Sequence, residues 1–503
     1  MRLALGLLVC FTTSLAGQAS PYLPIDHPVS PLVEFLITRG HLVDPTPQIR
    51  PLRRLDVVRA IDSSRLDPGS PADRIAREVR LALEERPDDT WYRIEPQVGF
   101  QSFTSARRDP FHPAGEGGVR PFVEATLAAR FGPLVAVSRP MAENRLKLDP
   151  DWSGGSLQRQ KNQAYRFADA YFSAQFKHVR LFYGQMDRNW GPAGSLGLSI
   201  ANYGYPRTDL GLDIVLRDLQ LQIIGTSLTP MRSSTGVDHR RYFLAHRLNA
   251  RVTKRLHLAL WETTVLSGPP ESTPASPYNP LVLFSFPIQL GLPDERNTTI
   301  GGDLTWRAAP GLRLEAQAMI DDRWRGKPDS VTGEVAHPGR WAFTVAGSGA
   351  LGRRMAWRTS VSTISALAYR TIDSAQSFVD RGVGIGPNFT DLIRVDARVE
   401  VPVGTRWILA PELTWLRQGE GRIDAPFPAG PALTATPELL IGTVAGTVRI
   451  GASLAGRVRG VSLQGAAGWQ RTTDADHIVG RRNDRFEARL QATIGTVLSG
   501  VLQ

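Results

Sequence analysis

Apolar and polar residues alternate with a period of two in many segments of the chain from residue 91 onward. In the last of them, Phe486 and Ile494 belong to an apolar set, whereas Arg485 and Glu487 belong to the charged set between them. Segments of this kind, each about ten residues long, occur at 92–101, 244–252, 312–320, 393–401 and 485–494. Because successive side chains of a β-strand point to opposite faces, the pattern predicts strands with one apolar and one charged face.

A soluble β-sandwich would also show this alternation, so the length and the extent of the pattern decide between the two folds. The segments have the length of a tilted strand that crosses a bilayer, about 9–11 residues. The pattern continues over residues 91–503 without a helical interruption. We therefore predict a mainly β protein with a large antiparallel outer-membrane β-barrel. At about 23 residues per strand and connection it would have about 18 strands, with lipid on its apolar face and the lumen on its polar face.

Segments rich in Gly, Pro, Ser and Asp separate the predicted strands. Gly and Pro are strong signals for turns and loops, and the chain contains 47 glycines and 37 prolines. The predicted loops are 107–118, 149–163, 184–209, 267–280, 321–339 and 418–437.

Residues 1–19 have the features of a secretory signal peptide. Arg2 precedes an apolar stretch at 3–14, and the small residues Gly17 and Ala19 offer a cleavage site after Ala19. The only cysteine, Cys10, lies within this segment. The mature protein is therefore expected to be exported, without disulfides and without a thiol nucleophile.

Residues 20–90 show helical periodicity. The apolar spacing predicts one helix from about residue 31 that stops at Gly40, a second with Leu55, Val58 and Ile61 on its apolar face, and a third that Ser70 caps and that Arg86 and Pro87 end. A bundle of about 60 residues can form only a marginal core by itself, so we expect it to dock on another structure. The predicted order is a signal peptide at 1–19, a periplasmic helical bundle at 20–90 and a transmembrane barrel at 91–503.

Composition and charge exclude several classes of protein. With 42% hydrophobic and 21% charged residues, the chain is too apolar for wholesale disorder. No apolar run after residue 20 reaches the length of about 18 residues that a membrane helix needs. The net charge of +11 becomes +10 when Arg2 is removed with the signal peptide. This modest positive charge on an exported protein gives no reason to expect a nucleic-acid partner.

Several short motifs carry a resemblance to a known family. The chain reads YLPIDHP at 22–28, LVEFL at 32–36, RPLRRLDV at 50–57 and YGQMDRNWGP at 183–192, followed by Ser195 and Leu196. This set, in this order, resembles the Wzi-type capsule assembly family of outer-membrane proteins. The resemblance implies a periplasmic helical bundle joined to a large β-barrel, and a lectin-like role in holding capsular polysaccharide on the cell surface.

One candidate glycan-binding site lies in and after the most specific of these motifs. Sugar recognition needs aromatic faces together with planar polar groups, and an arginine can hold a uronic carboxylate through two hydrogen bonds. The candidate residues are Asp187, Arg188, Trp190, Asn202, Tyr203, Tyr205 and Arg207. The alternative is that Trp190 belongs to a tight turn and packs on the barrel wall or in an aromatic belt.

The charged faces of three predicted strands form a second set of candidates, which could line the lumen and bind an acidic glycan. Their alternative role is a ladder of cross-strand ion pairs that stiffens the barrel. These residues are Arg313, Glu315, Arg394, Asp396, Arg398, Glu400, Arg485, Glu487 and Arg489.

Signals for catalysis or metal binding are weak. Asp149, Asp151, Ser153 and Gly154 match the start of a calcium loop, but Gln160 stands where such a loop has glutamate, so a polar turn is favoured. The sequence contains no nucleophile elbow, zinc-binding helix motif or phosphate-binding loop. We therefore expect neither a cofactor nor an enzymatic activity.

The leading hypothesis is a polysaccharide-binding outer-membrane protein. Its expected partners are capsular or other surface polysaccharide, outer-membrane lipid and envelope export components. A channel for small polar solutes or oligosaccharides is the alternative, because any porin would also have a polar lumen. A barrel hydrolase is a third hypothesis, without a motif to support it.

Overall fold

The computed structural model describes residues 18–85, 90–104, 110–111, 117–143, 165–269, 283, 296–322 and 338–501. Most of the predicted signal peptide (1–17) and the calcium-like turn at 149–154 lie outside these ranges. Within them, no helix has both the length and the hydrophobicity needed to cross a membrane.

The main body is a closed antiparallel β-barrel of 18 strands, which confirms the predicted fold class. Strand β2 closes the barrel by pairing with β3 on one side and with β22 and its continuation β23 on the other. The barrel strands are β2 Thr90–Phe103, β3 Gly118–Phe131, β4 Leu134–Glu143, β5 Tyr165–Gln175, β6 Val179–Gln185, β8 Thr208–Val215, β9 Leu219–Arg232, β10 Asp238–Arg251, β11 Leu256–Gly268, β12 Arg296–Ala309, β13 Leu312–Asp322, β14 Arg340–Leu351, β15 Met355–Ile364, β18 Leu392–Val403, β19 Trp407–Gln418, β20 Ala445–Val458, β21 Val461–Thr473, β22 Arg482–Gly495 and β23 Leu498–Val501.

Four very short strands form two small sheets that are not part of the barrel wall. They are β1 Ile49–Arg50 with β7 Asn189–Trp190, and β16 Val379–Asp380 with β17 Val383–Gly384.

The two ends of the barrel differ in the length of their connections. Tight turns at 132–133, 176–178, 310–311, 352–354, 404–406 and 459–460 define the short-turn end. At the opposite, long-loop end, the predicted loops at 184–209 and 418–437 correspond to described connections at 186–207 and 419–444. The predicted loops at 107–118, 149–163, 267–280 and 321–339 lie wholly or mostly outside the described residues. The long-loop end also carries a long connection at 365–391 that we did not predict. A small helix, α4 (Pro431–Ala435), lies in the last of the predicted loops.

The alternation along each strand separates the outer from the inner face of the barrel, as predicted. On β13, Leu314 and Ile320 are exposed, whereas Arg313, Glu315 and Gln317 are buried. Many other large apolar side chains are exposed along the strands. Such an apolar outer surface is typical of a barrel that lies in lipid.

The N-terminal segment forms helices α1 (Ser30–Thr38), α2 (Arg54–Asp62) and α3 (Pro71–Leu83). Ser70 caps α3 as predicted, since its side chain accepts the backbone N–H of Asp73 at 3.1 Å. In α2, however, Val57 and Ile61 are buried together with Arg54, and the predicted Leu55 is only partly buried.

The helical segment docks on the short-turn end of the barrel. Its apolar core includes Ala356 at the start of β15 and Ile408 on β19. Arg39 after α1 donates to the backbone of Met355 at 2.5 Å, and Arg406 pairs with Glu78 of α3 at 2.8 Å. The segment thus gains from the barrel the buried surface that its small size cannot supply by itself.

A buried ion network connects this segment to the barrel wall. Arg50 contacts Glu34 at 2.5 Å and Asp44 at 3.0 Å, and Asp44 also contacts Arg313 of β13 at 3.0 Å. Burial tends to raise the pKa of Asp44, but Arg50 and Arg313 outweigh it and lower that pKa to about 2. A lowered pKa means that Asp44 contributes stability above about pH 4, which is lost as the pH falls towards 2.

The lumen is not lined by charge throughout, which corrects the simple expectation of a polar interior. An apolar cluster fills part of it, where Trp190, Leu198 and Ile385 of inward-folded connections meet Phe243 and Trp261 of the wall. Inward-facing apolar residues occur on β9, β10 and β11 because the connections bring apolar side chains that need partners there.

We expect Arg50→Ala to lower the free energy of local unfolding of the docked segment by about 3 kcal/mol, because it leaves Glu34 and Asp44 buried with fewer partners. Hydrogen exchange of the α1 amides in detergent-solubilised protein would measure this loss. The matched control is Arg77→Ala, which removes an exposed pair with Asp73 and should cost less than about 1 kcal/mol. Equal protection of α1 in both variants would contradict the assigned role of the network.

Candidate functional site

The connection at 186–207 folds into the barrel and is held there by hydrogen bonds to its own backbone and to the wall. The Asn189 side chain donates to the carbonyl of Ser195 at 2.9 Å and accepts the N–H of Gly197 at 2.7 Å. Gln317 of β13 accepts the N–H of Leu198 at 2.7 Å and donates to the carbonyl of Trp190 at 2.9 Å. These bonds fix the start of the connection deep in the lumen.

The connection at 365–391 folds inward beside it. The Tyr369 hydroxyl donates to the carbonyl of Leu198 at 2.8 Å, and the N–H of Ala201 donates to the carbonyl of Ile385 at 3.1 Å. Arg241 of β10 donates to the carbonyls of Ser377 at 2.7 Å and of residue 379 at 2.9 Å. The two connections therefore form one structure inside the barrel.

A cavity of about 410 Å³ lies where these connections approach β6, β8 and β9 at the long-loop end. This volume is within the range of small-molecule sites, about 300–1,000 Å³. The cavity combines an aromatic ring, two guanidinium groups, hydroxyls, an amide and a carboxylate, which are groups that sugar-binding sites use. The lining side chains of this kind are Gln185, Tyr205, Arg207, Thr229, Asp380 and Arg381.

The polar groups of the cavity are oriented by hydrogen bonds to the surrounding backbone and to a neighbouring hydroxyl. Arg207 donates to the carbonyl of Ile385 at 3.3 Å, and Arg381 donates to the Thr229 hydroxyl at 2.7 Å. Asp380 accepts the N–H of Thr229 at 3.0 Å. A guanidinium has five N–H groups, so the single hydrogen bond found for Arg207 among the described residues leaves donors for a ligand.

The electrostatics of the cavity favour a partner for Arg207. Burial lowers the pKa of Arg207, and the carboxylates Asp380, Asp209 and Asp187 act in the opposite direction. A partly buried cation without an ion pair among the described residues gains when an anion or a dense set of acceptors comes within reach.

The predicted residues before this cavity have internal partners. Trp190 is only 1% exposed and its ring lies 5.6 Å from the Arg247 guanidinium, so no face of it is open to a sugar. Arg188 pairs with Asp209 at 3.0 Å and lies 4.4 Å above the Phe182 ring.

The later predicted residues lie closer to the cavity. Tyr203 is buried and packs edge-on against Phe389 at 5.6 Å, and Asn202 beside it is partly buried. Tyr205 lines the cavity, with the Arg166 guanidinium 5.6 Å from its ring. Of the seven predicted residues, only Tyr205 and Arg207 line the cavity.

The predicted lumen charges pair mainly along their own strands, two residues apart. The distances are 2.5 Å for Arg313–Glu315, 2.7 Å for Arg394–Asp396, 3.7 Å for Arg398–Glu400 and 3.0 Å for Arg485–Glu487. Glu400 also pairs across strands with Arg358 at 3.0 Å, and Arg489 is exposed. Most of these pairs therefore differ from the cross-strand ladder of the alternative prediction, which only the pair of Glu400 with Arg358 resembles.

Sequence reasoning missed Arg381, Asp380 and Thr229, three of the polar cavity residues. The signal was present for the first two, because glycines at 382, 384 and 386 followed by Pro387 are typical of a loop. Thr229 lies on a strand, and its position in the cavity depends on which connection folds against it. Among the described residues, no cluster of three or more His, Cys, Asp or Glu side chains could hold a metal ion.

Asp187 lies beside the motif in an acidic environment. It lines a small space with Asp26, Arg139 and Asp169. Burial, followed by the proximity of Asp26 and Asp169, raises the pKa of Asp187 to about 7. The folded state therefore loses stability as the pH rises from about 4, the ordinary pKa of aspartate, through 7.

We expect Asp187→Asn to raise the unfolding temperature more at pH 8 than at pH 5, since it removes the cost of charging this carboxyl. Thermal unfolding of the solubilised protein at both pH values would test this. The exposed Asp238→Asn serves as the control and should shift the two temperatures equally. An equal shift for Asp187→Asn would contradict the assignment.

Comparison with known proteins identifies the fold of the chain but does not assign it to a family. No known family profile and no curated protein sequence matches the chain. Among solved structures, the chain is similar to Wzi, described as an outer-membrane protein of Escherichia coli involved in group 1 capsule assembly and as a carbohydrate-binding β-barrel. The likeness has a TM-score of 0.62 at 14% identity and covers 94% of this chain and 99% of that one. Pseudomonas aeruginosa OprD matches with a TM-score of 0.44 at 10% identity, over 82% of this chain and 96% of that one. The likeness to Wzi supports the fold of an outer-membrane β-barrel for this chain.

Proposed function

We propose that this protein lies in the outer membrane of a Gram-negative-type bacterium, binds capsular or other surface polysaccharide, and helps to attach or organise it without catalysing a reaction. The observation that carries the proposal is the cavity lined by Tyr205, Arg207 and Arg381 at the long-loop end. Its groups suit a sugar, with the ring of Tyr205 for the C–H face and the guanidiniums for hydroxyls or carboxylates.

The orientation follows from the connections. Bacterial outer-membrane barrels have short periplasmic turns and longer extracellular loops. In this orientation the cavity is near the cell surface, where polysaccharide is present. The helical segment at 20–90 would face the periplasm, where it could contact envelope export components. The fold-level similarity to the E. coli capsule-assembly barrel is compatible with this arrangement.

The filled lumen favours an anchoring role over the channel alternative. The helical segment occupies the short-turn end, and the connections at 186–207 and 365–391 meet in the lumen core. We expect the purified protein to produce little steady conductance in planar bilayers. Large, stable ionic currents would favour the channel instead.

Removing a cavity cation should weaken binding to the organism's own extracted polysaccharide. Arg381→Gln and Arg207→Gln are each expected to reduce affinity by about 10-fold or more, since a hydrogen bond to a charged group contributes about 1.5–3 kcal/mol. Isothermal calorimetry or glycan-array binding of the solubilised protein would measure the change.

The matched control for these variants is Arg422→Gln. Arg422 lies at the same end of the barrel, in the connection at 419–444, and is 70% exposed in its pair with Asp424. The Arg422→Gln variant also loses one positive charge but keeps the cavity unchanged, so it should bind the polysaccharide with the same affinity as the parent protein. If the three variants bind alike, the cavity is not the site, and if the parent protein binds no surface glycan, the proposed function is wrong.

A further inference from the structure

The outer surface of β19 changes from apolar to basic at a defined height. The outward side chains of this strand, in order from the short-turn end, are Trp407, Leu409, Pro411, Leu413, Trp415 and Arg417. From Trp407 to Trp415 the strand rises by about 21 Å along the barrel axis at a tilt of about 40°. This is close to the apolar band of about 25 Å in outer-membrane barrels. Trp415 therefore marks the upper edge of the hydrocarbon layer, and Arg417 lies just above it.

Two further outward arginines lie beyond the apolar edge on neighbouring strands. Along the sheet, Arg417 is beside Gly446, Gly446 is beside Thr473, and Thr473 is beside Arg482. One row lower along the strands, Arg471 of β21 lies beside Asp484 of β22. Three exposed cations thus occur on the outward faces of the four adjacent strands β19–β22.

The middle cation is held in place by an ion pair, and of the other two only Arg482 acts on the same carboxylate, at longer range. Arg471 contacts Asp484 at 2.7 Å and lies 5.0 Å from the ring of Trp469, whose exposed face continues the apolar edge. Neither Arg417 nor Arg482 forms a hydrogen bond or ion pair through its side chain in the described part of the chain. Three cations against the single carboxylate of Asp484 give this surface a net positive charge.

The geometry fits a lipid with more than one phosphate. Three strand spacings of about 4.8 Å separate Arg417 from Arg482, which places their backbones about 14 Å apart. Long arginine side chains can extend from these positions to headgroups at the membrane interface. Exposed basic residues just outside the hydrocarbon layer are attracted to anionic headgroups.

We propose that Arg417, Arg471 and Arg482 form a binding site for the phosphorylated headgroup of a glycolipid in the leaflet next to the long-loop end. The acyl chains lie along the apolar stripe that ends at Trp415, Trp469 and Phe486. Arg471, already oriented by Asp484, contacts the same headgroup from the lower row. This site is separate from the cavity and would hold the barrel at a fixed depth and orientation in the lipid.

The test measures retention of bisphosphorylated lipid A by the full-length protein in detergent micelles, using native mass spectrometry. The double variant Arg417→Gln/Arg482→Gln is expected to bind the lipid at least about 10-fold more weakly than the parent protein. The control is Arg353→Gln/Arg354→Gln, which removes two exposed cations from a turn at the opposite end and should leave binding unchanged. Unchanged thermal unfolding temperatures of both variants would show that they are folded.

Two further arms identify the ligand. Lipid A without phosphates should bind the parent protein about as weakly as bisphosphorylated lipid A binds the double variant. An excess of inorganic phosphate should compete poorly, because it lacks the acyl chains. Equal binding of the two lipids, equal loss in the control variant, or complete competition by inorganic phosphate would each overturn the proposal. None of these results depends on whether the cavity binds polysaccharide.

Discussion

The pairing of the two-residue strands β1 and β7 is the interaction on which the interior of this barrel depends. It sets Ile49 beside Trp190 and Arg50 beside Asn189. Arg50 binds the acidic residues of the helical segment, while Trp190 belongs to the apolar cluster formed with the inward connections. One short backbone contact therefore joins the structure that enters from the short-turn end to the structure that enters from the long-loop end. An 18-stranded wall encloses a space that side chains of the strands cannot fill by themselves, so these segments complete the core.

This arrangement explains why the inner part of the most distinctive motif is buried. Asn189 and Trp190 are buried because they form the inner end of the connection, and their hydrogen bonds and packing hold it in place. The two predicted residues that line the cavity come later in the same connection, at Tyr205 and Arg207, where the chain returns towards β8. A rigid inner end that fixes the geometry of a cavity-lining outer end is an arrangement suited to a binding site.

Much of the fold could be predicted because period-two alternation acts locally. Leu314 and Arg313 lie on opposite faces of their strand whatever lies beyond it, so alternation and segment length were sufficient for a barrel of about 18 strands. The Ser70 cap was equally predictable, since capping joins residues three positions apart. The inward apolar residues Phe243 and Trp261 were not, because their burial depends on connections distant in the chain. The candidate site was predictable only in part, through Tyr205 and Arg207.

By itself, the sequence determined the strand faces, the helical segment, the loops at 184–209 and 418–437, and the supply of aromatic and cationic residues around 187–207. These features depend on neighbours within a few positions, where backbone geometry leaves few alternatives. Only the tertiary structure decided that the connection at 365–391 folds inward, that Arg381 comes to lie beside Arg207, and that Trp190 is enclosed. It also brought Arg417, Arg471 and Arg482 onto one region of the outer wall. The physical reason is that strand register and core packing join residues far apart in sequence, and no local pattern encodes which of them meet.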